Sequence, residues 1–282
     1  MSRSITVGFD RSPESRAAVR WAADEAVARG LPVHAVYAWE WQPRRLALTD
    51  ARTERARVEA TPRTAAALLR AEHPGLRVHS EMVTGPPVPV LLAAARDAEL
   101  LVLGSRAIGG VHGFLVGSVA QSVVARGERP VVLVRPDSPQ GPGEAARHGP
   151  VVLGLGAEFP GNDVVAFAFE EAAYRSAPLH VVAVGRGAAA TTSIPDADAR
   201  HAREEADRLT VALAPWRHRY PGVPVTARCL DGDPGEELVR AARDASLLVV
   251  GRRSGSRMAP PRTGHATHVV MHRCPVPVAV VP

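Results

Sequence analysis

The sequence contains no lysine, so that all 34 of its basic side chains are arginines. This absence excludes a P-loop nucleoside triphosphatase, which needs a lysine at its phosphates, and it excludes Schiff-base chemistry, which needs a lysine amine. The net charge of +5 is spread along the chain rather than gathered into a basic stripe with interleaved aromatic side chains. We therefore expect no nucleic acid among the partners.

Cysteines and long apolar runs are also scarce. The two cysteines, Cys229 and Cys274, provide no disulfide framework. The longest uncharged apolar run, residues 88–95, is too short to span a bilayer, and the opening residues MSRSITVGFDRS contain no apolar signal core. We expect a cytoplasmic protein that does not associate with membranes.

The chain does contain a long internal repeat. The 24 residues that end at Arg106 share 13 identities with the 24 residues that end at Arg253. A stretch rich in Pro, Gly and polar residues separates the two copies and is typical of a linker. We predict an N-terminal domain over residues 1–136, a linker over 137–149 and a C-terminal domain over 150–282.

Within each copy, apolar strand-like runs alternate with helical segments. Ser12 and Pro13 before the first helical run, and Gly30 after it, are typical of an N-cap, a first helical position and a C-terminal stop. Pro62 should start or kink the next helix, and residues 233–236, DPGE, indicate a capping box. The alternation predicts an α/β fold in each domain, a doubly wound, Rossmann-like parallel sheet with helices on both faces. Such sheets bind ligands beyond the carboxyl ends of their strands, where the strand order switches.

The loop after the fourth strand, GSRAIGGVHGFLVGS, carries the clearest functional signal. It starts at Gly104, where a strand ends, and reaches Gly117 and Ser118, where a helix begins. Unpaired backbone N–H groups and the positive end of the helix dipole favour an anion there, and Arg106 adds positive charge. The same residues also fit a plain strand-to-helix connection with flexible glycines.

The loop spacing resembles the G-x-x-G-x9-G-[S/T] motif of the universal stress proteins, with Ala107 in place of the second glycine. The segments VGFDRSPESRAAVRWAADEA and CPVPVAVV resemble the opening and the closing strand of that family. The resemblance covers both copies, so the chain resembles a tandem, two-domain member. It implies two adenine nucleotide alpha hydrolase-like domains that pair through their last strands as an intramolecular pseudo-dimer, and it leaves a homodimer of two chains open.

The resemblance also implies an ATP site, with Mg²⁺, in the N-terminal domain. An acidic residue after the first strand and a residue ending the second would contact the adenosine, while the loop and the helix start would hold ribose and phosphates. The residues carried over are Asp10, Ala38, Leu103, Gly104, Arg106, Ala107, Gly117, Ser118 and Val119. The Cβ of Ala107 disfavours a positive φ by about 1–2 kcal/mol, so Ala107 weakens binding only if the turn needs that conformation.

The second copy has lost more of this motif. Gly156 stands in the place of the acidic residue, Ser254 and His265 replace a loop glycine and the final serine, and a Pro pair at 260–261 removes two donors. We expect no ATP there, and at most a different anion held by Arg252, Arg253 and His265.

Two functions remain open. The first is a stress-response regulator that binds ATP in its N-terminal domain and acts on protein partners that the sequence does not identify. The second is an interaction scaffold in which both pockets have decayed. We expect at most weak ATP hydrolysis, because neither a positioned base nor a lysine clamp is visible.

We assign no catalytic and no metal-binding residue. His265, His268 and His272 have helical spacing, but no acidic side chain accompanies them. His34 and His180 match between the copies, which inheritance of a strand residue explains.

Overall fold

A computed structural model describes residues 3–40, 51–107, 114–136, 149–156, 162–185, 195–252 and 263–282. The chain divides into two compact units, residues 1–137 and 138–282. No described helix combines the length and the apolar character that crossing a membrane requires.

The first unit is a parallel sheet with helices packed on it. Its elements are β1 (Ser4–Gly8), α1 (Pro13–Arg29), β2 (Val33–Trp39), α2 (Ala51–Glu72), β3 (Val78–Thr84), α3 (Pro87–Ala95), β4 (Ala98–Gly104), β5 (Arg106–Ala107), β6 (Phe114–Leu115), α4 (Ser118–Arg126) and β7 (Val131–Val134). The parallel strands lie in the order β3-β2-β1-β4-β7, and β5 pairs with β6 in a separate antiparallel ribbon. The order switches direction between β1 and β4, which is where doubly wound sheets bind ligands.

The second unit has the same plan without the small ribbon among its described residues. Its elements are β8 (Val151–Leu155), α5 (Asn162–Tyr174), β9 (Leu179–Gly185), α6 (Pro195–Arg219), β10 (Val225–Asp231), α7 (Pro234–Ala241), β11 (Leu247–Gly251), α8 (His265–Arg273) and β12 (Val278–Val281). Its strands are parallel in the order β10-β9-β8-β11-β12. The α/β fold predicted for both copies is confirmed.

Three strands are buried along their entire length, because both of their faces are covered. Every residue of β7, β8 and β12 is buried, in agreement with continuous apolar runs rather than alternating ones. The predicted limits of α1 are also confirmed. The Ser12 hydroxyl accepts the backbone N–H of Ser15 at 3.1 Å, Pro13 is the first helical residue, and Gly30 ends the helix with a left-handed φ of 65°.

The structure refines two local predictions. Of the two alternatives at Pro62, the start of a helix is excluded, because α2 begins at Ala51 and continues through Pro62. The capping box at α7 forms only in part. The Asp233 carboxylate accepts the backbone N–H of Glu236 at 3.0 Å, but the Glu236 carboxylate contacts Arg273 in α8. A long-range ion pair has thus taken the side chain that a box would turn back on its own helix.

Candidate functional site

The carboxyl ends of β1 and β4 meet at the switch point of the first unit. Backbone pairing continues just past both strands, since the N–H of Phe9 donates to the carbonyl of Val36 at 3.0 Å and that of Ser105 to the carbonyl of Val134 at 2.8 Å. These hydrogen bonds fix the positions at which the chain leaves β1 and β4. The residues that follow both strands therefore lie at the edge of the sheet where such folds bind ligands.

Asp10 follows β1 and is held by the start of α1. Its backbone N–H donates to the Ser15 hydroxyl at 3.3 Å, and its Oδ1 accepts the backbone N–H of Ser12 at 3.0 Å. The next residue, Arg11, adopts a left-handed φ of 71°, which is rare for a residue with a side chain. The turn therefore orients an exposed carboxylate just past the end of β1.

Sequence reasoning missed two of the residues that shape this turn, Arg11 and Ser15. Ser15 is buried, and its hydroxyl donates to the carbonyl of Ser12 at 3.0 Å while it accepts the Asp10 N–H. A serine three residues after an N-cap is a weak signal in itself, whereas the strained conformation of Arg11 has no sequence signal beyond its position after Asp10.

Gly104 brings the end of β4 against the first turn of α1. A Cβ atom at this position would lie 2.5 Å from the carbonyl carbon of Glu14 and 2.7 Å from the backbone nitrogen of Ser15. Only glycine allows this approach without a shift of the backbone. The first turn of α1 therefore contacts both Gly104 at the end of β4 and Asp10 just past the end of β1.

The loop after β4 begins as the antiparallel ribbon of β5 and β6, in which Arg106 pairs with Leu115 and Ala107 with Phe114. Ala107 therefore has the extended backbone of a strand. An alanine adopts this conformation without penalty, so the missing glycine costs nothing in backbone strain. The tip of the loop, residues 108–113, lies outside the described residues.

The start of α4 is open toward solvent. Gly117 is its N-cap, with φ −60° and ψ 153°, and a Cβ placed there would meet no atom of the described residues within 4 Å. The first turn contains no acidic residue, and no side chain caps it in the described part of the chain. The backbone N–H groups of Ser118 and Val119 are the first two of the helix, and helical pairing with Gly117 begins at Gln121. Unpaired N–H groups at a helix start favour the binding of an anion.

The remaining two predicted residues have limited roles. Ala38 lies near the end of β2, half-buried and paired with Val83 of β3, so it is at the same end of the sheet as Asp10. The Leu103 side chain is buried and packs over Gly8. Leu103 can therefore present only its backbone to a ligand.

The second unit keeps the helix start and changes its surroundings. Gly264 caps α8 with φ −63° and ψ 159°, almost the conformation of Gly117. His265 occupies the position that Ser118 has in the first unit, and its Nε2 lies 3.9 Å from the Asp233 carboxylate. A carboxylate at this point disfavours an anion. Arg252 donates its backbone N–H to Val281, while Arg253, Ser254 and the Pro pair lie outside the described residues.

These observations define a doubly wound α/β protein with a candidate nucleotide site at the switch point of its first domain. Comparison with known proteins identifies the family to which this fold belongs. A model of the universal stress protein family matches residues 1–135 and again residues 150–282. The chain belongs to the universal stress protein family.

Individual relatives agree with this assignment. Universal stress protein Rv2005c from Mycobacterium tuberculosis is 32% identical over 286 residues, which cover 98% of this chain and 96% of the relative. Universal stress protein Rv2623 from the same organism is 30% identical over 301 residues, covering 99% and 96%. A crystal structure of a universal stress protein from Archaeoglobus fulgidus has the same fold, with a TM-score of 0.67 at 18% identity over 100% of this chain and 98% of the other.

Proposed function

We propose that the first domain binds an adenine nucleotide, ATP with Mg²⁺, and that the protein acts in the cytoplasm as a nucleotide-dependent regulator of a stress response. The observation that carries this proposal is the open start of α4 at Gly117, which shares the carboxyl end of the sheet with the fixed carboxylate of Asp10. The family assignment supports the stress-response role, and the scarcity of cysteine, with two in 282 residues, is typical of the compartment.

Each group has a distinct part in this proposal. The N–H groups of Ser118 and Val119 and the exposed Ser118 hydroxyl donate to phosphate oxygens. Asp10 accepts hydrogen bonds from the hydroxyl or amino groups of the adenosine, because an ionised carboxylate is an acceptor only. Arg106 adds positive charge at the beginning of the loop. Mg²⁺ would arrive with the phosphates and keep most of its water ligands, as it commonly does.

We expect at most weak ATP hydrolysis, because the sequence contains no lysine to clamp the phosphates. We assign no catalytic residue, and we propose that bound nucleotide changes the surface offered to a partner rather than serving as a substrate. The second domain has Gly156 where the first has Asp10, and a carboxylate near its helix start. We therefore assign one nucleotide to each chain.

Calorimetric titration of the full chain with ATP and Mg²⁺ tests the proposal, with Asp10→Ala as the variant and Asp97→Ala as the matched control. Asp97 is an exposed acidic residue of the same domain, but it follows α3 at the opposite end of the sheet. We expect a stoichiometry of one, weaker binding in Asp10→Ala and unchanged binding in Asp97→Ala. If millimolar ATP gives neither heat nor a thermal shift, the proposal is wrong and the scaffold function is favoured.

A further inference from the structure

A cluster of three side chains lies on β2 and β3, away from the nucleotide site. His34 is the second residue of β2, near its amino end, and its partner in the parallel register is His79 of β3. Glu81 follows two residues later and is therefore on the same face of β3 as His79. The nucleotide site lies beyond the carboxyl ends of the strands, so the two groups of residues are separate.

The side chains of this cluster converge. His34 Nε2 and Glu81 Oε1 are 2.9 Å apart, and the centroids of the two imidazole rings are 5.1 Å apart. One potential ligand atom from each residue lies within 4.8 Å of the other two. The His34 side chain is 20% exposed and that of Glu81 42%, so the cluster is anchored in the sheet but open on one side.

Two imidazoles and a carboxylate are a ligand set that holds zinc. Zinc bonds to histidine nitrogen and carboxylate oxygen at about 2.0–2.2 Å, and sites of three protein ligands leave a fourth position for water. Ligand atoms that are already this close need only small side-chain rotations to surround an ion. Neighbouring strands of a sheet hold such side chains more rigidly than loops do.

The second domain provides an internal comparison. The matching positions are His180 on β9 and Thr226 and Arg228 on β10, and His180 and Thr226 are again register partners. His180 and Arg228 line one groove there, so a guanidinium stands where the first domain has a carboxylate. In the second domain a histidine remains at the first position, a threonine replaces the second histidine, and an arginine replaces the glutamate. Among the described residues, the complete set of two imidazoles and a carboxylate at these positions occurs in the first domain.

We propose that His34, His79 and Glu81 bind a divalent transition metal ion, Zn²⁺ in particular, across β2 and β3 of the first domain. The ion would connect β3 to β2 through side chains as well as through backbone hydrogen bonds. Because an ion held by both strands binds the folded domain in preference to the unfolded chain, it stabilises that domain by an amount that grows with the logarithm of the ion concentration relative to its Kd.

The test uses the full chain without an affinity tag, with Zn²⁺ competed against a chromogenic chelator and Co²⁺ followed by its visible absorption. The main variant, His79→Thr with Glu81→Arg, gives the first domain the residues of the second. We expect this variant to bind Zn²⁺ at least about tenfold more weakly, since even loss of a residue behind the ligands costs roughly 10- to 100-fold. His79→Ala should have the same direction of effect.

Two controls separate this site from other histidines. His73→Ala removes an imidazole of the same domain that pairs with Asp24 and lies outside the cluster. His268→Ala removes the middle of the three histidines on α8. The ring centroids of His268 and His272 are 4.4 Å apart. Both controls should bind Zn²⁺ with the affinity of the unaltered chain, and ATP titration of all four variants should be unchanged.

Three results would overturn the proposal. The first is the absence of Zn²⁺ binding by the unaltered chain at micromolar concentration. The second is full affinity in both His79→Ala and the double variant. The third is loss of binding in His268→Ala alone, which would assign the ion to α8.

Discussion

Gly117→Val is the sharpest test of the nucleotide site, because it should separate binding from folding. The φ of −60° and ψ of 153° at Gly117 are open to any L-residue, and a Cβ there lies more than 4 Å from every atom of the described residues beyond its chain neighbours. Valine is a poorer N-cap than glycine, but replacing glycine also removes about 0.4–1 kcal/mol of unfolded-state entropy. We expect the free energy of unfolding to change by less than about 1 kcal/mol, which is a shift of a few degrees in Tm.

Nucleotide affinity should respond far more strongly. The isopropyl group would occupy the space through which a phosphate reaches the N–H groups of Ser118 and Val119. Loss of one hydrogen bond to a charged group costs about 1.5–3 kcal/mol, so we expect ATP to bind roughly 10- to 150-fold more weakly. Calorimetry measures the affinity, and a thermal scan without nucleotide measures the stability.

The second domain offers a matched control for this experiment. Gly264→Val makes the same substitution at the equivalent N-cap, where φ is −63° and where we expect no nucleotide. ATP affinity should be unchanged in this variant. If Gly117→Val binds ATP as the unaltered chain does, the phosphates are not held at the start of α4 and our assignment of the loop is refuted.

Three further predictions concern stability and domain pairing. Gly104→Ala should destabilise the protein by about 1–3 kcal/mol, because its Cβ would lie 2.5 Å from the carbonyl carbon of Glu14. In a thermal scan Gly75→Ala, whose Cβ meets nothing within 4 Å, should be neutral, and equal melting of the two variants would contradict the reasoning. Burial lowers the pKa of His180 from its usual 6.5, so the folded state binds this proton less readily and stability falls as the pH drops below about 6.5. The loss of Tm between about pH 7.5 and 5.5 should therefore be smaller in His180→Asn, and an equal loss would argue against this residue. Finally, pairing of the domains through their last strands stays a prediction, and residues 1–140 alone should dimerise or melt earlier, whereas a monomer with unchanged Tm would refute it.

Much of the architecture follows from short-range signals. Ser12, Pro13 and Gly30 set the ends of α1 because capping and left-handed termination involve only neighbouring backbone groups. The repeat and the uninterrupted apolar runs are sufficient to predict two parallel α/β domains. The same signals are weaker where a distant partner competes, as at Glu236, whose carboxylate contacts Arg273 instead of its own helix end.

The sequence predicts only part of the candidate site, and the rest depends on the folded structure. The spacing from Gly104 to Ser118 identifies the loop, and the resemblance to a family assigns its residues. The effect of Ala107 depends on its backbone conformation, which β6 sets by pairing with it. The left-handed turn at Arg11 likewise depends on the contact between Asp10 and α1.

Caps and apolar runs depend on a few neighbouring residues, and the repeat is visible when the two copies are compared. The sequence is therefore sufficient to predict helices, strands, two domains and the loop that we propose binds a nucleotide. The cluster of His34, His79 and Glu81 is different, because two of its members are far from the first along the chain and only the β2–β3 register makes them neighbours. Strand pairing is a long-range choice made by the folded sheet, and a slip of one residue would turn His79 and Glu81 to the opposite face. This cluster therefore exists only in the tertiary structure.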